Sequence, residues 1–296
     1  MRVLILGGSG MLGHKLWQTF APRFDAYVTF RGEASAYNST GLFELPRTIS
    51  NVSAQNFDFV ARAFSDIQPE AVVNCIGIVK QDVSAKDPLK SIEVNSLFPH
   101  RLAELARARG ARLLHLSTDC VFSGRAGNYT ESSISDAEDL YGRTKFLGEV
   151  AGDNCLTIRT SMIGREIVGS HGLLEWFLSQ KDKRVSGFTR AIFTGLTTLA
   201  LAEIIADVLI RFPDLTGVRH IAADPISKFD LLSLIQKQYG LRIDIEPDSS
   251  FVCDRSLDGS RFYAETGIRA PSWPVMIAAM RDDATPYEAI RAQGSR

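Results

Sequence analysis

The 296-residue chain carries 33 lysines and arginines against 34 aspartates and glutamates, a formal net charge of -1, with 45% hydrophobic and 23% charged residues. These are globular values, and at about 150 residues per domain the length fits two domains or one large one. Near-neutrality excludes a global basic field that would hold nucleic acid or an anionic membrane, so an anionic ligand must be gripped locally.

Apolar runs at 3–6, 26–30, 71–76, 112–117 and 155–158 are nearly unbroken, as strands covered on both faces by helices should be. The first is too short for a signal-peptide core. Leu12, Leu16 and Phe20 share one helical face, and Leu97, Leu102, Leu105 and Ala106 do so in a longer helix ending near Gly110. This alternation predicts an α/β fold with a doubly wound (Rossmann) parallel sheet over residues 1–159. After Arg159 the rhythm changes. Helical stretches at 173–179, 199–212, 229–239 and 275–280, with a strand-like run at 243–246, predict a smaller α+β substrate domain over 160–296. Helix 199–212 could return to the first sheet. Glu203 and Asp207 interrupt that longest apolar stretch, so no membrane span is expected. Cys75, Cys120, Cys155 and Cys253 lie far apart without a C-x-x-C pair, which fits reduced thiols and a cytoplasmic protein.

The segment V-L-I-L-G-G-S-G-M-L-G, residues 3–13, reads as a buried strand, a glycine turn and a helix start. Gly7 can turn the chain with positive φ. Gly10 lets backbone N–H groups approach a pyrophosphate, Met11 and Leu12 open the helix that faces it, and Gly13 lets that helix pack closely. A dinucleotide is the expected ligand. An NAD site usually ends its second strand in Asp or Glu; here Y-V-T-F-R ends in Arg31, a partner for a 2′-phosphate. NADPH is therefore the expected cofactor, while Glu33 keeps NADH open.

Tyr141 and Lys145 form Y-x-x-x-K at a helix start, so both lie on one face. The 112–117 run leads into Thr118 at the carboxyl edge of the sheet, where ligands of doubly wound folds bind. Thr118 should project its hydroxyl toward Tyr141. Lowering a phenol from about 10 to about 7 needs roughly 4 kcal/mol, which Lys145 and an oxidised nicotinamide could supply.

Gly7, Gly10 and Gly13, the V-N-C-I-G stretch at 73–77, S-T-D-C-V-F at 117–122, and Tyr141 with Lys145 together resemble the extended short-chain dehydrogenase/reductases. Within them the chain looks most like the dTDP-4-dehydrorhamnose reductases and related nucleotide-sugar reductases. R-T-S at 159–161 and, more loosely, R-S-L-D at 255–258 extend the likeness. The resemblance implies that Thr118 binds the substrate carbonyl, Tyr141 donates the proton, and Lys145 holds the nicotinamide ribose. It also implies that Asn74, Cys75 and Gly77 lie along the cofactor, that Asn95 is near the site, and that Arg255 meets the substrate diphosphate. A nucleotide sugar is the implied substrate, and a homodimer is left open.

A 4,6-dehydratase of this superfamily normally carries Asp-Glu after the Thr; this chain has Asp119-Cys120. A nucleotide-sugar epimerase with tightly held NAD and a non-catalytic NADP-binding regulatory subunit stay open beside a C4 ketoreductase. His14, His100, His115, His171 and His220 show no ligand spacing, so no metal is expected.

Overall fold

The computed structural model describes residues 1–294. The first half runs β1 (Arg2–Leu6), α1 (Gly13–Phe20), β2 (Asp25–Thr29), β3 (Thr48–Ile49), α2 (Phe57–Ile67), β4 (Ala71–Asn74), α3 (Pro88–Ser91), α4 (Phe98–Ala108), β5 (Arg112–Leu116), α5 (Leu140–Leu147) and β6 (Cys155–Arg159). The second runs β7 (Met162–Ile163), α6 (Leu173–Leu178), β8 (Arg184–Phe193), β9 (Leu196–Thr197), α7 (Thr198–Arg211), β10 (Gly217–His220) and β11 (Ile226–Ser227). It ends with α8 (Lys228–Tyr239), β12 (Asp244–Asp254), α9 (Ser260–Thr266), α10 (Trp273–Arg281) and α11 (Tyr287–Gly294).

The main sheet has seven strands in the order β10-β6-β5-β4-β1-β2-β3, all parallel. This is the doubly wound α/β arrangement, with the order reversing between β1 and β4. Two-sided burial explains the unbroken apolar runs. Val3 and Ile5 of β1 join one core with α1 and α7, while Leu4 and Leu6 join another with α2 and α4. The other central strands divide likewise: Leu114 of β5 faces the first core, Leu113 the second.

The second half returns to this sheet twice, through β10 against β6 and through α7 against α1. It also builds a three-stranded sheet in which β8 pairs antiparallel with β11 and parallel with β12. α8, capped by the Ser227 hydroxyl, packs on β8. The turn after β5 is tied to the end of β12: the Tyr129 N–H donates to the Ser256 carbonyl at 2.9 Å. The carboxyl edge of the main sheet therefore faces the ends of β8 and β12.

Beneath that edge lies a buried ion pair. Arg159 meets Glu149 through two bonds of 2.7 Å, and the Ser117 hydroxyl donates to the same carboxylate at 2.7 Å. Their side chains are 5% and 7% exposed. Breaking such a pair strands an uncompensated buried charge at a cost of about 3–5 kcal/mol. Arg159→Met is expected to lower unfolding free energy by about that amount in urea denaturation. A loss below about 1 kcal/mol would mean that water already reaches Glu149.

Candidate active site

β1 ends in the glycine turn. Gly7 has φ +91, and a Cβ on Gly13 would stand 2.1 Å from the Gly7 carbonyl oxygen, so α1 meets the turn at a distance only glycine permits. The Gly8 N–H is taken by the Thr29 carbonyl at 2.8 Å and the Gly10 N–H by the Gly7 carbonyl at 3.1 Å. The N–H groups of Met11 and Leu12 have no acceptor among the described residues. Unclaimed donors at a helix start beside a side-chain-free turn fit a pyrophosphate. Leu12 itself is buried, and Met11 half-buried. His14 fixes the turn from behind: Nδ1 donates to the Gly10 carbonyl at 2.9 Å and Nε2 lies 3.0 Å from the Tyr287 hydroxyl. Burial pushes its pKa down to about 4, so the ring is neutral.

At the end of β2, Arg31 is exposed and has no ion pair or hydrogen bond among the described residues. Glu33 is engaged, accepting from the Asn51 amide at 2.7 Å. Arg31 acts on Asp82 without a close ion pair, so the group at this strand end not held by a hydrogen bond is the cation.

At the end of β4 the Asn74 side chain is wholly buried and closes the turn, accepting from the Ile76 N–H at 3.0 Å and donating to His115 Nδ1 at 3.0 Å. Burial pushes the Cys75 thiol up to about 12. Asn95 sits on a π-helical turn, Ile92–Leu97, that runs into α4. Its amide is spent on the Ile78 backbone, accepting from the N–H at 2.9 Å and donating to the carbonyl at 3.1 Å. Asn95 therefore positions the loop after β4. A Cβ on Gly77 would lie 3.4 Å from Asn95 Oδ1 and 3.8 Å from Lys145 Nζ, so Gly77 opens the path to that ammonium.

Thr118 follows β5, buried, and its hydroxyl accepts from the Cys120 N–H and donates to Asp119, both at 3.1 Å. Asp139 caps α5 by accepting from the Gly142 N–H at 2.7 Å, and this sets Tyr141 and Lys145 in the first turns. The Thr118 hydroxyl lies close enough to the Tyr141 phenol to act on its ionisation. Burial, then the Cys120 thiol, push that phenol above its ordinary value, and Thr118 pulls it back. The sequence predicts a phenol lowered by Lys145 together with an oxidised nicotinamide. In the structure Lys145 instead donates to the Leu116 carbonyl at 2.7 Å on the β4–β5 side, and burial holds the ammonium down to about 8. Tyr141 accordingly keeps its proton.

On the other side of Tyr141, Arg255 donates from Nε to the Phe122 carbonyl at 2.8 Å, half-buried, with Cys120, Cys253 and Asp119 in electrostatic range. Asp119 is buried, which raises its carboxyl pKa, and Arg255 and Lys228 oppose that rise. Lys80 reaches across to Asp139 at 2.6 Å. Lys228 and Lys80 are not site residues in the sequence, since each comes from a separate segment with no local spacing signature, and Asp119 figures there only in the motif beside Thr118. A separate cavity of about 600 Å³, lined by Glu70, Arg112 and Asp153 among others, shares no residue with this constellation.

A Tyr–Lys helix beside a glycine turn, carried on a parallel sheet of this strand order, defines an extended short-chain dehydrogenase/reductase. A family model described as the RmlD substrate binding domain matches residues 1–280, and the chain belongs to that family. It is 36% identical over 151 residues to a dTDP-4-dehydrorhamnose reductase of Streptomyces griseus, covering 51% of this chain and 44% of that one. It is 32% identical over 152 residues to methionine adenosyltransferase 2 subunit beta of Rattus norvegicus, covering 51% and 42%. The chain thus spans less than half the length of these curated relatives. The fold is shared with a dTDP-4-dehydrorhamnose reductase of Bacillus anthracis str. Ames solved in complex with NADP, at a TM-score of 0.78 and 19% identity over 94% of this chain and 98% of that one.

Proposed function

We propose that this protein is an NADPH-dependent ketoreductase acting on C4 of a nucleotide-activated deoxy sugar. The observation that carries the reading is the approach of the Thr118 and Tyr141 hydroxyls at the carboxyl edge of the sheet, with the Lys145 ammonium beside Gly77. The S. griseus and B. anthracis likenesses support the sugar class. In this reading residues 1–159 hold the dinucleotide along Gly7, Gly10, Met11, Leu12 and Gly13, then Asn74, Cys75 and Gly77, with Asn95 bracing the loop. Residues 160–296 supply the substrate side, with Arg255 toward the diphosphate.

When bound, the reduced nicotinamide supplies hydride. Thr118 turns its proton from Asp119 to the substrate carbonyl and so fixes that oxygen beside Tyr141. Tyr141 gives its proton to the oxygen as that oxygen becomes an alkoxide, a far stronger base than phenolate, so a phenol held protonated suits the reductive direction. Lys145 holds the ribose. Four free thiols and the absence, among the described residues, of a helix able to cross a membrane support a cytoplasmic location.

The direct test assays dTDP-, UDP-, GDP- and CDP-4-keto-6-deoxy sugars by NADPH absorbance; no turnover on any of them ends the proposal. The likeness to methionine adenosyltransferase 2 subunit beta favours a second reading, a non-catalytic NADP-binding subunit. That reading gains from a stable stoichiometric protein complex without turnover. Arg31 carries the cofactor choice. Losing a charge-assisted bond costs about 1.5–3 kcal/mol, so Arg31→Ala should shrink the NADPH/NADH ratio of kcat/KM roughly 10- to 100-fold. An unchanged ratio would assign the 2′-phosphate elsewhere.

A further inference from the structure

Lys228 opens α8, directly after β11, and its side chain is half-buried. Its ammonium lies 3.7 Å from the centre of the Phe193 ring at the end of β8. Asp119, Cys120 and Cys253 stand within electrostatic range, Asp119 acting on it most strongly. Yet the ammonium has no hydrogen bond or ion pair among the described residues. Its three donors therefore have no acceptor in the protein and stand ready for a ligand, while burial of the rest of the group still opposes the charge. A methionine could lie over Phe193 without that cost.

The surroundings identify the missing partner. Asp119 adjoins Thr118, so Lys228 stands at the reacting end of the site. The two ammoniums flank the segment that carries Thr118 from different elements, Lys145 of α5 at the Leu116 carbonyl and Lys228 of α8 in range of Asp119 and Cys120. A diphosphate seated against the Asp119 carboxylate would meet like charge. A donor cation beside an acceptor carboxylate matches adjacent hydroxyls, each of which can accept from one and donate to the other.

We propose that Lys228 anchors the sugar: its ammonium donates to a hydroxyl oxygen of the hexose ring while Asp119 accepts from the neighbouring hydroxyl, holding the carbonyl against Thr118 and Tyr141. The proposal rests on the nucleotide-sugar reading and adds the residue pair that reads the ring.

The test is calorimetric titration of the NADP⁺-loaded protein with dTDP-glucose and UDP-glucose, and with free dTDP and UDP, in wild type, Lys228→Met and Lys228→Arg. Lys228→Met should weaken whichever nucleotide sugar binds at least tenfold, leave its free nucleotide within twofold, and leave Tm undiminished. Lys228→Arg, keeping the charge, should recover part of the loss. Unchanged nucleotide-sugar affinity, an equal loss of free nucleotide, or a lowered Tm would each overturn the assignment. If the wild type binds nucleotide sugars but reduces no keto sugar, the reductase reading fails and Lys228 is still judged by these affinities. If it binds no nucleotide sugar, both fall.

Discussion

Tyr141→Phe is expected to lower kcat by at least about a hundredfold while NADPH affinity stays within about twofold, the range set by loss of a positioned general acid. The substitution removes one oxygen and keeps the ring, so α5 and its Asp139 cap should persist. What disappears is the proton that meets the forming alkoxide, with only Thr118 left to donate. Thr118 cannot replace it cheaply, because its hydroxyl is already shared between Asp119 and the Cys120 N–H. Steady-state kinetics with a turned-over keto sugar and fluorescence titration with NADPH separate the two effects. Unaltered turnover would remove Tyr141 from the chemistry. Parallel loss of cofactor binding would mean that the phenol serves the dinucleotide site instead.

The first half of the fold was legible because its strands are buried on both faces. β1, β4, β5 and β6 leave near-continuous apolar runs, and α7 shows itself by length and pattern. Boundaries slipped where side chains intervene: the run at 71–76 ends as strand at Asn74, because Asn74 takes the Ile76 N–H that a strand would offer its neighbour. The helix expected near Leu97 is preceded by the π-helical turn at Ile92–Leu97, whose register no 3.6-residue pattern encodes. β10 is a short edge strand, G-V-R-H, without an apolar run, and β12 is largely exposed with a register shift between Asp248 and Val252, so only its start shows, as the strand-like run at 243–246.

The same contrast divides the site. Gly7, Gly13, Thr118, Tyr141 and Lys145 lie in local patterns whose spacing is itself the signal. Lys228 and the Glu149–Arg159 pair acquire meaning only when distant segments meet, and the direction of the Tyr141 shift depends on how deeply the ring is packed. Residue type at a given spacing is readable; what surrounds an isolated charge is not.

Lys145→Met should reduce kcat/KM for NADPH at least about a hundredfold without lowering Tm, since a lost charge-assisted contact and a lost orienting group act together. The sign of the stability effect follows from burial. The native ammonium is held down to about 8, below the ordinary Lys value of 10.5, so burying it opposes folding by roughly 3 kcal/mol near neutral pH. Losing the bond to the Leu116 carbonyl offsets part of what methionine gains there. Between about pH 8 and 10.5 the unfolded chain holds a proton at Lys145 that the native protein has released, so this residue makes wild-type stability rise with pH across that window. The methionine variant should lack that rise. Activity runs the other way: the ammonium proposed to hold the ribose exists below about pH 8 and is lost above it, so wild-type kcat/KM for NADPH should fall as pH passes through that value. A variant that keeps the alkaline fall in kcat/KM would show that another group produces it. Opposite pH slopes for stability and cofactor capture, both abolished by one substitution, are what a cation retained for its ligand requires.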